Sequence, residues 1–104
     1  MPANTPVLDT LADINTTSIE HSHLMPRELM LARIAALVAV DAPPASYLAN
    51  AGAAADSGVT EQDVQEVMIA VAPVVGTARV VSASGNIMRA LGFAITVAEA
   101  DLST

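Results

Sequence analysis

His21 and His23 are the only imidazoles in the chain, and imidazole is the side chain best suited to moving protons near neutral pH. Two positions apart, their rings diverge whether the segment is extended or helical. A shared metal ion is therefore not expected without carboxylates close by. They are read either as solvent-facing or interface side chains, or as the source of one general acid or base entering a pocket. Glu28, beside Arg27, opens a helical pattern. It either favours the helix dipole at the surface or lies near a site, paired with Arg33 or Arg79. Tyr47 and Asn50 are three residues apart and share one helix face. They either bond to neighbouring helices or offer polar contacts to a small ligand in an apolar pocket. Arg79 follows a Gly76-Thr77 break at a helix start, where the positive dipole end would also welcome a carboxylate. The plainer alternative is an ion pair with Asp63 or Glu66. Arg33 is the only charge between Leu29 and Val40, and an arginine there can snorkel outward at the helix edge. The catalytic candidates are thus His21, His23 and Glu28. The ligand-contact candidates are Tyr47, Asn50, Arg79 and Arg33. No serine-histidine-acid spacing, nucleotide loop or metal motif occurs, and neither cofactor nor metal is expected.

Composition narrows the function further. The formal net charge is −7, and the basic side chains are four arginines. So few cations cannot track a phosphate backbone, which argues against nucleic acid and against anionic membrane surfaces. The chain has no cysteine, which removes disulfides, thiol peroxidase chemistry and thiolate metal sites. It is 53% hydrophobic but only 14% charged, below the usual quarter or so for charged residues. A lone subunit would struggle to clothe its surface, so apolar area shared between copies is expected. No basic-then-apolar leader pattern is visible, and the longest uncharged apolar run, Val67 to Ala78, is too short to span a bilayer. A cytoplasmic protein with no membrane association is the expectation.

The elements that must position these residues read as helices. No segment alternates convincingly with period two, and no hairpin turn signal occurs. Residues 1–5 are expected to be flexible. Thr5-Pro6 can open a short helix with Leu8, Leu11 and Ile14 as its stripe, ending at a polar break over Asn15 to Ser18. Ile19 to His23 is left open between a helical turn and a loop. Pro26 starts a helix reaching about Val40, with Met30, Ile34, Leu37 and Val38 on the helical period. Asp41 is placed as a cap before Pro43-Pro44, and a helix follows to Ser57. Its face of Leu48, Ala51, Gly52 and Ala55 would let another helix approach closely. Gly58 caps its end. Thr60 and Asp63 form a capping-box variant, with Val59 and Val64 as a hydrophobic staple. Val64, Val67, Met68, Val71 and Val75 make the buried face of that helix, and Pro73 should kink it or end its regular bonding. Thr77 is expected to cap a last long helix in which Val80, Ser84, Ile87, Met88 and Leu91 align. In it Ser82 and Gly85 would permit close contact, and Gly92 would stop it. A short helix over Phe93 to Ala100 and a frayed tail at 101–104 complete the reading.

These residues resemble the carboxymuconolactone decarboxylase family, whose sister group is the alkyl hydroperoxide reductase D-type peroxidases. The resemblance rests on Gly58-Val59-Thr60, Asp63-Val64, Glu66-Val67, Gly76 and Arg79, with Pro26-Arg27-Glu28-Leu29 as the earlier helix start. It covers roughly Leu24 to Leu91. It implies an all-α single domain over 1–104 with its core at about 24–92, a small bundle built on an antiparallel helical hairpin. It also implies assembly into a homotrimer or homohexamer, with sites near subunit contacts. The departures bear on chemistry. The peroxidase group's two cysteines would fall at Pro43 and Ser46, and the family histidine at Asn50, which does not shuttle protons near neutral pH. Its tyrosine falls at Val74 and its proline at Ala78. Its first-helix glutamate falls at Leu31, or at Glu28 if three residues are inserted. Two functions follow as expectations. One is binding of a small metabolite, anionic or lactone-like, in an apolar interhelical pocket, with non-redox, lyase-type acid/base chemistry if the protein is an enzyme. The other is a non-catalytic oligomeric module that keeps the assembly without the chemistry.

Overall fold

Five helices follow one another in the computed structural model, which describes residues 4–92. They are α1 (Pro6–His21), α2 (Pro26–Ala39), α3 (Pro44–Asp56), α4 (Glu61–Val75) and α5 (Thr77–Leu91). No strand occurs among the described residues, in line with the all-α expectation. The helix expected over Phe93 to Ala100 and the tail at 101–104 lie outside the described residues, as does most of the flexible segment expected at 1–5. No described helix is long and apolar enough to cross a membrane.

The core is made where α2 packs on α4, α3 packs on α5, and α2 also meets α3. Ile34 and Val38 from α2, Tyr47 from α3, Val64, Val67 and Met68 from α4, and Val80, Ala83 and Ile87 from α5 form one buried cluster with Ala42. Met68, Val38 and Ile87 are fully enclosed. Truncating a side chain of that kind to alanine usually costs about 2–5 kcal/mol, because the void only partly collapses. Val71 and Val75 pack partly against the same cluster, so the expected inner face of α4 is the one observed. Ser84 is buried among these side chains, and its hydroxyl donates to the Val80 carbonyl at 2.9 Å. A polar group inside the core is thereby satisfied within its own helix.

The helix ends explain how the elements are joined. At the start of α4 the Asp63 N–H donates to Thr60 Oγ1 at 3.1 Å, and the Thr60 N–H donates to Asp63 Oδ2 at 2.9 Å. This reciprocal pair is the expected capping box. At the end of α3, Gly58 takes a φ of 83°. The Val59 N–H then reaches back to the Ala54 carbonyl at 3.0 Å, closing a Schellman motif that favours glycine. Gly92 ends α5 with a φ of 77°.

Several elements depart from the sequence reading. The first helix runs unbroken through Asn15 to Ser18, because polar residues without glycine or proline disfavour a helix only slightly. The Leu8, Leu11 and Ile14 stripe is exposed, and α1 buries no residue. Asp41 does not cap α3, whose N-cap is Pro43. Instead Asp41 ends α2 with a φ of 57°, and the Ala42 N–H bonds back to the Leu37 carbonyl at 3.0 Å. Aspartate is one of the few residues that tolerate this left-handed position. Gly76, with a φ of 88°, is the N-cap of α5, and Thr77 is its first helical residue. Pro73 lies inside α4, which continues only to Val75. Of the α3 face expected to receive another helix, Leu48 and Gly52 are exposed, while Ala51 and Ala55 border a cavity within the protomer. Space beside Gly85 is limited by the guanidinium of Arg89 on the same helix, not by a neighbouring helix.

Candidate functional site

A cavity of about 300 Å³ lies between α2, α3, α4 and α5, at the small end of the range of ligand-binding sites. Helix α2 contributes Ile34 and Leu37, and α3 contributes Tyr47, Asn50, Ala51, Ala54 and Ala55. The α3–α4 turn and the first turns of α4 bring Val59, Thr60, Glu61 and Val64, and α5 closes the wall with Ile87 and Leu91. The run of alanines in α3 creates the space. Larger side chains at Ala51, Ala54 and Ala55 would fill it.

Tyr47 is the chemically distinctive wall residue. It is only 4% exposed, and its hydroxyl is buried without a hydrogen-bond partner. A buried polar atom left unpaired costs about 1–3 kcal/mol, and this hydroxyl is enclosed away from any water-sized atom. Burial pushes its pKa up from 10.0 to about 12, and the Asp41 carboxylate adds to the rise. The phenol is therefore a neutral donor throughout the physiological range. Asn50 is half-buried, and its Nδ2 donates to the Ser46 carbonyl at 2.9 Å.

Asn50 and Leu37 also border a groove between α1 and α2, lined by Leu11, Ile14, Asn15, Ser18, Arg33 and Ala36. Arg33 spans that groove. It donates from Nη1 to Asn15 Oδ1 and from Nη2 to Ser18 Oγ, the latter at 3.1 Å.

The structure brings Tyr47 and Asn50 to one cavity and sets Arg33 beside Asn50 in the adjoining groove. The other candidates stand apart from the cavity. Arg79 faces Asp41 at 3.8 Å, not Asp63 or Glu66. Asp63 is instead held by Arg27. That contact and the bonds from Thr60, chiefly its backbone N–H, keep the Asp63 carboxyl below its usual pKa. Asp41 can serve Arg79 because its left-handed backbone turns it toward α5, where Ser82 Oγ also donates to it at 2.6 Å. One turn further along α5, Asn86 Nδ2 donates to the Ala42 carbonyl at 3.2 Å. Glu28 accepts from the Met25 N–H at 3.3 Å and so serves the start of α2. His21 ends α1 and His23 lies in the following link, both exposed.

Thr60 and Glu61 line the cavity but are not among the candidate site residues read from the sequence. Their pattern reads fully as a cap and a solvated first turn. The available signal is the Val59–Val64 staple, which turns this segment back over α3.

Known proteins offer one point of comparison. The model of the carboxymuconolactone decarboxylase family matches residues 5–86, which takes in α1 as well as the core helices. No curated protein and no solved structure matches the chain.

Proposed function

The chain belongs to the carboxymuconolactone decarboxylase family, and from that premise we propose that it binds a small metabolite in the cavity between α2, α3, α4 and α5. Asn50 and Thr60 supply polar groups at its wall, Tyr47 an aromatic one, and the aliphatic walls supply most of the affinity. The observation that carries this reading is a ligand-sized, mostly aliphatic cavity bordered by Tyr47 and Asn50. With no cysteine in the chain, thiol-based peroxide reduction has no nucleophile. Lyase-type proton transfer by His21, His23 or Glu28 would require another copy to deliver those groups, because none of them lines this cavity. Binding is therefore the primary activity in this reading.

A second reading, an oligomeric module without catalysis, is favoured by a separate observation. Ile69 and Val74 on α4 are 64% and 85% exposed, and the α1 stripe is open as well. These faces suit contacts between copies of the chain, as a trimer or hexamer would provide.

The test of the binding reading is a thermal-unfolding screen with small organic molecules, run on the wild type and on Ala54→Leu. A ligand present at a hundred times its Kd should stabilise the wild type by about 2.7 kcal/mol. Ala54→Leu, which fills the cavity from α3, should remove the response. A wild type that responds to no molecule small enough for the cavity would leave the oligomeric module as the better account.

A further inference from the structure

We infer that the groove between α1 and α2 is a second binding site, which takes a small carboxylate with a short aliphatic tail and holds the carboxylate on Arg33. It adjoins the cavity described above but does not depend on it.

An uncompensated cation is the first ground. Arg27 has Asp63 as its partner and Arg79 has Asp41. Arg33 holds only the neutral Asn15 and Ser18, although the chain has eleven acidic residues. Helical spacing keeps the acids away. Asp9, Asp13 and Glu20 fall on the side of α1 opposite Leu11, Ile14, Asn15 and Ser18. No acid stands three or four residues from Arg33 on α2. An anion entering the groove therefore meets a positive charge without displacing an ion pair. The net charge of −7 opposes anions at long range, but physiological salt screens such effects beyond about 8 Å, and the Arg33 contact is direct.

Access is the second ground. Asn15 and Ser18 line the groove, so the bonds to them place the guanidinium inside it. Both bonds are open to solvent. They use two of the five N–H donors of the group, and the rest remain for a carboxylate. A charged acceptor is held more strongly than a neutral one.

The apolar wall is the third ground. The groove encloses about 330 Å³, and Leu11 and Ile14 of α1 line it with Ala36 and Leu37 of α2. Because α1 buries none of its residues, its two side chains there still have apolar surface to lose, and a short alkyl chain would cover it.

The test titrates hexanoate, hexanamide and acetate against the full chain by ligand-observed NMR. On the wild type, which needs no variant to fold, hexanoate should bind best. Hexanamide lacks the charge and acetate lacks the tail, and each should bind at least about tenfold more weakly. Arg33→Gln keeps hydrogen-bond donors without the charge. It should weaken hexanoate about tenfold and leave hexanamide within about twofold. Ala36→Glu, at an exposed position on the groove wall, should abolish hexanoate binding. Ala54→Leu fills the cavity and not the groove, so hexanoate should stay within about twofold of the wild type. Hexanamide or acetate matching hexanoate on the wild type would overturn the inference, as would unchanged hexanoate binding by Arg33→Gln. Loss of hexanoate binding in Ala54→Leu would overturn it too, while placing the ligand in the cavity and so supporting that reading. A wild type that binds no hexanoate would sink the groove site alone, since the cavity is judged by its own screen.

Discussion

At the scale of single residues, Tyr47 reports on its own surroundings. It is the only tyrosine, and the chain has no tryptophan, so near-ultraviolet absorbance follows this one phenol. In the folded protein its ionisation should centre at about 12, not at the ordinary value of 10. The linkage has a definite sign. A pKa raised by folding means that the fold favours the protonated phenol. Its contribution is complete below pH 10 and is lost as the pH climbs toward 12. A spectrophotometric titration of the native protein with a midpoint near 10 would mean that the hydroxyl is solvated and not enclosed in the core.

At the scale of elements, the start of α4 makes the clearest demand. Thr60→Ala removes the acceptor for the Asp63 N–H and should lower stability in urea by about 1 kcal/mol. Asp63 adds a pH dependence. Its carboxyl is held below the usual range by the Thr60 and Arg27 bonds. Its contribution is present above the unfolded-state pKa and is lost as the pH falls through the lowered value. Unfolding curves taken down the acid range should therefore converge for the wild type and Asp63→Asn. Parallel curves would show that the box contributes nothing that titrates. These ends were legible in the sequence because a cap is a local pattern: Gly58, the Thr60–Asp63 pair and Gly92 each announce themselves within a few residues. Asp41 did not, since an aspartate before two prolines fits the start of one helix as well as the end of another. The contacts its left-handed conformation allows, to Ser82 and Arg79, are distant in sequence. The cavity was legible only through Tyr47 and Asn50. Its other walls come from four segments whose meeting no local pattern encodes.

At the scale of the molecule, the described residues extend 51 × 34 × 23 Å, and α1 adds no side chain to the core. Its stripe of Leu8, Leu11 and Ile14, together with Ile69 and Val74 of α4, leaves large apolar side chains open, and the module reading assigns them to contacts between copies. Sedimentation velocity at micromolar concentration should show an assembly larger than one chain. Val74→Glu should shift it toward the monomer without lowering protomer stability by more than about 0.5 kcal/mol, the usual range for an exposed site. A wild type that sediments as a single chain would count against the module reading and leave these faces unexplained.

The stitch between the α2–α3 turn and α5 has a consequence that reaches inward. Arg79, Ser82 and Asn86 recur along one stripe of α5 and grip Asp41 and Ala42, only a few residues before Tyr47. The chain therefore enters α3 from a point fastened to the last helix, so the first turn of α3 and the middle of α5 are tied together at the surface as well as through the core.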